Sequence, residues 1–186
     1  LCLNITTASI VDVMNLVEYC NFPSGTYWSD LRRSHGYEEP FCVKYWSLGN
    51  EPDGWWQFNL MQKEEYARIT REYAKAVKWI DPSAKLIACS SVGANMDWTR
   101  ETLRESYKYI DYLSVHSFIA NKDNNYPFYL ATASRKGDTI KSITALCDEV
   151  KEELSSDKTI SISLDEWNVW YHSIEADSKI KSWELA

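Results

Sequence analysis

Short apolar runs alternate along this chain with longer stretches in which apolar residues recur every three or four positions. The short runs fall at about 1–6, 43–49, 85–89, 111–116 and 159–164 and read as buried strands. The longer stretches read as helices. One covers about 8–20, with Ile10, Val13, Met14 and Val17 on a stripe; the next covers 63–80, with Tyr66, Ile69, Tyr73, Val77 and Ile80, and ends at Asp81-Pro82. A third covers 98–108 with Asp97 as N-cap, and a fourth 139–154 with Asp138 as cap and Ile140, Ile143, Leu146, Val150 and Leu154 on its apolar face. The stretch 21–41, rich in Pro, Gly, Ser and charge, reads as a long loop, and 167–186 as an aromatic loop leading into the start of a helix.

This βαβαβαβαβ order calls for an α/β fold with a parallel sheet and right-handed crossovers. No linker divides the chain, so residues 1–186 read as one domain. The alternation permits an open doubly wound sheet or a barrel segment. No Gly-x-Gly-x-x-Gly follows the first strand and no phosphate-loop motif occurs, which favours the barrel. A complete (β/α)₈ barrel needs roughly 250 residues. The chain opens on Leu1 inside an apolar run and stops at Leu185-Ala186, as expected of an internal piece of a larger protein. Five strands of eight would leave two open edges, so the isolated piece is expected to fold poorly.

A net charge of −7 and a pI of about 5.0 disfavour a nucleic-acid partner. No apolar run is long enough to span a membrane. The five cysteines (2, 20, 42, 89 and 147) contain no Cys-x-x-Cys pair, so neither a zinc site nor a disulfide framework is signalled. Unpaired thiols suit a reducing compartment and so favour the cytoplasm. Nine Trp and twelve Tyr make the chain rich in aromatics; some must be core, flat aromatic faces also stack on sugar rings, and composition alone does not separate the two uses.

Two strand ends carry the candidate chemistry. Ser47-Leu48-Gly49-Asn50-Glu51 and Ser163-Leu164-Asp165-Glu166-Trp167 each run from apolar residues abruptly into a carboxylate. That is the pattern where parallel strands open into a barrel active site. Two such carboxylates among aromatics suit acid/base and nucleophilic work on a sugar. Crowding by Trp46, Trp55 and Trp56 would partly desolvate Glu51, as suits a general acid. Taken alone, Glu51 reads equally as a surface acid in a turn of Pro52, Asp53 and Gly54, and Glu166 as half of a salt-bridged strand end. Strand alternation would turn one of Asp165 and Glu166 inward and the other away. His116 closes the fourth strand on the same rim and could bond a carboxylate or a substrate hydroxyl. His35 and His172 form no metal-ligand spacing with it, and no Gly-x-Ser-x-Gly nucleophile elbow occurs.

Further motifs surround these residues: Val17-Glu18-Tyr19-Cys20-Asn21, Gly25-Thr26-Tyr27-Trp28-Ser29-Asp30-Leu31-Arg32, Gly49-Asn50-Glu51 with Asp53-Gly54 and Trp56-Gln57, Asp111-Tyr112-Leu113-Ser114-Val115-His116, and Asp165-Glu166-Trp167-Asn168-Val169-Trp170-Tyr171-His172. In these the chain resembles the α-L-arabinofuranosidases of glycoside hydrolase family 51. The resemblance implies a (β/α)₈ TIM-barrel glycosidase, partial here, with about strands 3 to 7 of the barrel present. It implies a retaining enzyme that releases terminal α-L-arabinofuranosyl residues from arabinose-containing oligosaccharides or polysaccharides. Glu51 is then the acid/base, Glu166 the nucleophile, and Asn50 the partner of the sugar 2-hydroxyl. His116 supports the site, and Trp56, Phe118 and Trp170 line it. The family needs no metal or organic cofactor, and its full-length members are often homo-oligomers. The alternatives are another retaining barrel glycosidase, of β-xylosidase or endoglucanase type, or an inactive carbohydrate-binding remnant. Two departures stand out. His116-Ser117-Phe118 replaces the family's His-x-Tyr and so lacks a hydroxyl near the nucleophile, while Pro52 and Trp55 reshape the leaving-group side of the acid/base.

Overall fold

A computed structural model of the chain describes residues 1–120 and 125–169. The elements follow the order β1 (Cys2–Leu3), α1 (Ile10–Asn21), α2 (Tyr27–Ser34), β2 (Tyr45–Leu48), α3 (Lys63–Ile80), β3 (Lys85–Cys89), α4 (Met96–Ser106), β4 (Tyr112–Ile119), α5 (Tyr126–Glu153) and β5 (Ser161–Val169). All five strands are parallel, and their spatial order is their chain order, β1 to β5. Each crossover therefore advances by one strand and the order never reverses.

One face of the sheet is dry. Leu3, Trp46, Leu48, Leu86, Ala88, Leu113 and Val115 are buried there against Val13 and Val17 of α1, Tyr66, Ala74 and Val77 of α3, Leu103 of α4, and Ile143, Leu146 and Val150 of α5. Burying that apolar surface is the main force holding the layers together. Between these positions Cys2, Tyr45, Ser47, Ile87 and Tyr112 face the other side and keep part of their surface exposed.

Several boundaries differ from the sequence expectation: β1 is shorter than the run at 1–6, and β4 does not close at His116 but runs on to Ile119, where its pairing with β5 extends. The stretch 21–41 is not a continuous loop, because α2 forms inside it. Its capping box pairs Thr26 with Ser29, but its buried positions are Ser29 and Arg32, so no apolar stripe announces the helix. Arg32 is fully buried and donates to the carbonyls of Tyr19, Phe22, Pro23, Tyr37 and Glu38, tying the segment together. Helix α4 starts two residues early, because Asn95 rather than Asp97 accepts the first backbone N–H groups. Helix α5 starts at Tyr126 with Asn125 as its cap, and Gly137 and Asp138 lie in its interior. Strand β5 continues through Asp165 and Glu166 to Val169, paired with β4 on both sides of Asp165, which the register skips. The cysteines are unpaired: Cys20, Cys89 and Cys147 are buried, while Cys2 and Cys42 are exposed.

Candidate active site

Parallel strands end together, so the residues after β2, β3 and β4 and the late part of β5 share one rim of the sheet. The rim begins where β2 leaves the ladder. Gly49 turns at a φ of +87°, and a Cβ there would stand 3.1 Å from Ile5 Cγ1, so both conformation and space call for glycine. Glu51 also has a positive φ, 46°, a conformation uncommon for a residue that carries a side chain. Beneath the turn Tyr66 is fully buried. Its hydroxyl donates to Leu48 O (2.6 Å) and accepts from Cys89 N (2.8 Å), stitching β2 to β3 as they separate. Burial pushes the Cys89 thiol up to about 12, so it stays protonated; it donates to Gly49 O at 3.3 Å.

The turn brings Glu51 against His116, with Nδ1 at 2.8 Å from Oε1. The other carboxylate oxygen of Glu51 accepts a 2.7 Å hydrogen bond from the Trp56 indole N–H. Gly54 makes that fold-back possible, since a Cβ on it would meet the Trp56 ring at 2.6 Å. The segment carrying both tryptophans is tethered on three sides. Met61 N donates to Pro52 O (2.9 Å), Asp53 Oδ1 accepts from Val92 N (3.2 Å), and Asn59 Nδ2 donates to Thr6 O (2.7 Å).

Across from Glu51, β5 carries the second carboxylate. Val115 pairs with Leu164 but His116 pairs with Glu166, so Asp165 is an extra residue in a β-bulge. The bulge cancels the expected alternation, and both acids reach the same imidazole. Glu166 Oε2 lies 3.5 Å from His116 Nδ1, and Asp165 Oδ1 lies 3.5 Å from Nε2. Asp165 is held by the hydroxyls of Ser114 (2.7 Å) and Ser163 (3.3 Å). Oxygens of Glu51 and Glu166 and a ring nitrogen of His116 all lie within 4.8 Å of one another. The imidazole is nearly enclosed, at 9% side-chain exposure, while Glu166 at 42% remains open to a ligand. A small pocket above it is lined by Glu51, Cys89, Ser90, Val92, Ser114 and His116.

The structure thus brings together Glu51, Glu166, His116 and Trp56. Asn50 lies next to them, half-buried, in a groove with Asn4, Thr6, Thr7, Gln57 and Phe58. Phe118 follows two residues after His116 on β4, opposite Asn168. Trp170 lies outside the described residues. Sequence reasoning does not single out Asp165 as a partner of His116, nor Tyr66 as the clamp below the turn. A bulge alone brings Asp165 to the imidazole, and Tyr66 has the sequence signature of any core tyrosine on a helical stripe. Glu51, His116 and Glu166 could in principle chelate a cation. The same geometry, two carboxyl groups facing one open rim, is of the kind that serves acid/base and nucleophilic chemistry.

Residues 4–135 match the model of the alpha-L-arabinofuranosidase 1 domain. Among curated proteins, the intracellular exo-alpha-(1->5)-L-arabinofuranosidase 1 of Bacillus subtilis is 51% identical over 98% of this chain and 37% of its own length. The corresponding enzyme of Halalkalibacterium halodurans is 46% identical over the same shares. The chain therefore spans a little over a third of these relatives. Among solved structures, a family 51 alpha-L-arabinofuranosidase from Bifidobacterium longum superposes with a TM-score of 0.87 at 32% identity, covering 91% of this chain and 36% of that one. The arabinose complex of the alpha-L-arabinofuranosidase from Thermotoga maritima gives 0.81 at 32%, over 92% and 34%. With the domain model matched across most of its length and the paired strand ends in place, the chain belongs to the alpha-L-arabinofuranosidase 1 domain family.

Proposed function

We propose that this chain is the central part, about strands 3 to 7, of the (β/α)₈ catalytic barrel of a retaining α-L-arabinofuranosidase. Glu51 is its acid/base and Glu166 its nucleophile. The observation that carries the reading is the approach of the two carboxylates, whose nearest oxygens lie within 4.8 Å across His116. Retaining glycosidases hold their carboxyl groups about 5–5.5 Å apart, whereas inverting ones leave room for a water at roughly 6.5–9.5 Å. The unreversed strand order, with helices packed on the dry face, supports a barrel segment over a doubly wound sheet.

In this reading a terminal arabinofuranosyl residue sits on the rim with C1 facing Glu166. The Glu166 carboxylate attacks C1 as the bond to the glycosidic oxygen breaks, and Glu51 gives that oxygen its proton. The product of this half-reaction is an arabinofuranosyl ester on Glu166. Glu51, now ionised, takes a proton from a water that attacks C1 and returns Glu166 as a carboxylate. His116 holds Glu51 and reaches Glu166, so it keeps the two acids in register. Asn50 offers its amide to the 2-hydroxyl. The substrates are arabinose-containing oligosaccharides or polysaccharides, in keeping with the exo-alpha-(1->5)-L-arabinofuranosidase names of the curated relatives. Residues 1–186 form one partial catalytic domain, and the whole enzyme works as a homo-oligomer without metal or organic cofactor.

The test is a panel of aryl glycosides given to the full-length protein, with product stereochemistry followed by NMR. Release of arabinose from the α-L-arabinofuranoside with retention at C1 is expected. Cleavage of the β-xyloside alone would assign a different substrate, and inversion would break the Glu166 nucleophile assignment. Binding without turnover of any glycoside would mark an inactive sugar-binding remnant.

A further inference from the structure

Trp55 takes no part in the proposed chemical steps and, where its sequence position suggests crowding of Glu51, it is among the most exposed large side chains of the described residues, at 81%. Exposing an indole costs free energy in water, and here the ring is also held in place. Its ring packs edge-on against Trp56, with centroids 5.6 Å apart at 82°. Trp56 is in turn fixed by Gly54 and by its bond to Glu51, and the surrounding loop is tethered to the segments after β1 and β3. An exposed flat face on a fixed loop loses little conformational freedom on binding, which is what a stacking platform needs.

Its position selects the ligand. Glu51 presents Oε1 to His116, the side from which Glu166 approaches, and Oε2 to Trp56. The nucleophile and the leaving group occupy opposite faces of C1. The tryptophan side of Glu51 is therefore the side on which the leaving group departs. We propose that Trp55 is a specificity-determining residue that stacks on the sugar ring of the leaving group, so that the protein favours a sugar over a small aglycone. This inference rests on the glycosidase reading above.

The experiment compares two substrates in the full-length protein: an arabinofuranosyl-arabinose disaccharide, and α-L-arabinofuranosyl fluoride, whose leaving group has no ring. Trp55→Ala should lower the ratio of kcat/KM for the disaccharide to that for the fluoride by about three- to tenfold, the range of one aromatic stacking contact. Most of the change should appear in KM for the disaccharide. Trp55→Phe, which keeps a flat face, should restore the ratio to within about twofold. An unchanged ratio in an active Trp55→Ala protein overturns the platform and leaves the glycosidase reading standing. The same holds if the substitution alters only the molecular mass by light scattering, which would place Trp55 between copies of the chain. A wild-type protein that hydrolyses neither substrate overturns both.

Discussion

The indole N–H of Trp56 points at Glu51 Oε2 from 2.7 Å, while the other oxygen of the same carboxylate faces His116 at 2.8 Å. Two partners thus fix the plane of one carboxylate on a backbone turn of positive φ. In the mechanism proposed above, proton delivery to the glycosidic oxygen depends on that plane, because the transfer is sensitive to distance and angle.

Trp56→Phe keeps the ring and removes the donor. We expect the loss to depend on the leaving group. Substrates that need protonation, such as alkyl or sugar arabinofuranosides, should lose about ten- to a hundredfold in kcat/KM, the worth of a hydrogen bond to a charged group. A dinitrophenyl arabinofuranoside, which leaves without help, should lose far less. Gly54→Ala should give the same pattern with the indole intact, because the added Cβ displaces the Trp56 ring. Equal losses across leaving groups would reduce Trp56 to a packing residue.

The two carboxylate roles separate under azide rescue. Glu166→Ala should abolish turnover of sugar arabinofuranosides, and azide should restore activity with inversion at C1 by taking the place of the missing nucleophile. Glu51→Ala should retain the glycosylation step for activated substrates, and azide should then yield a product of retained configuration. Losses of about 10²–10⁴ are expected for Glu51→Ala on substrates that need the acid. NMR of the two azides decides the assignment, and swapped configurations would exchange the roles.

Arg32 has no exposed surface, and its guanidinium donates to five backbone carbonyls. Arg32→Met would fill most of its volume while leaving those carbonyls without donors. Unfolding by denaturant should show a loss of about 3–5 kcal/mol, the usual cost of removing one partner from a buried charged network. Arg32→Lys should not restore it, because a single ammonium cannot span carbonyls on both sides of α2.

Asp111 links β3, β4 and two lysine-bearing segments. Burial opposes its ionisation, but the backbone N–H of Leu86 (3.0 Å) and the Lys85, Lys158 and Lys78 ammonium groups outweigh this and hold its carboxyl below the usual 3.8. A carboxyl depressed in the folded state adds stability above its unfolded value, and that stability fades as pH falls through the folded value. Asp111→Asn should therefore destabilise the protein at neutral pH. The gap to wild type should narrow below pH 3.8. A gap that persists undiminished in acid would show that shape, not charge, carries the effect.

Part of the fold is legible in the chain. Helix α3 runs over Lys63–Ile80 as its stripe and the Asp81-Pro82 stop predict, and β3 occupies Lys85–Cys89 as its apolar run does. Such elements are local: periodicity and a breaker suffice. Helix α2 is hidden because it buries an arginine and a serine rather than an apolar stripe. The N-terminal half of α5 is hidden because Gly137 and Asp138 resemble a boundary and its described residues bury no apolar stripe; Asn125, which accepts from Phe128 N, sets its start.

The candidate site divides in the same way. Residue types and order alone single out Glu51, Glu166 and His116 as candidates, because strand ends that break into polar and charged residues can be recognised one strand at a time, while Asn50 and Trp56 enter through the resemblance to family 51. Tertiary structure alone decides that Asp165 joins Glu166 at His116, and that Trp56 turns back onto Glu51. The first depends on a one-residue slip between β4 and β5, strands far apart in the chain, and the second on the space left beside Gly54. Register and close approach are relations between segments, fixed only when the sheet assembles and its side chains compete for the same volume.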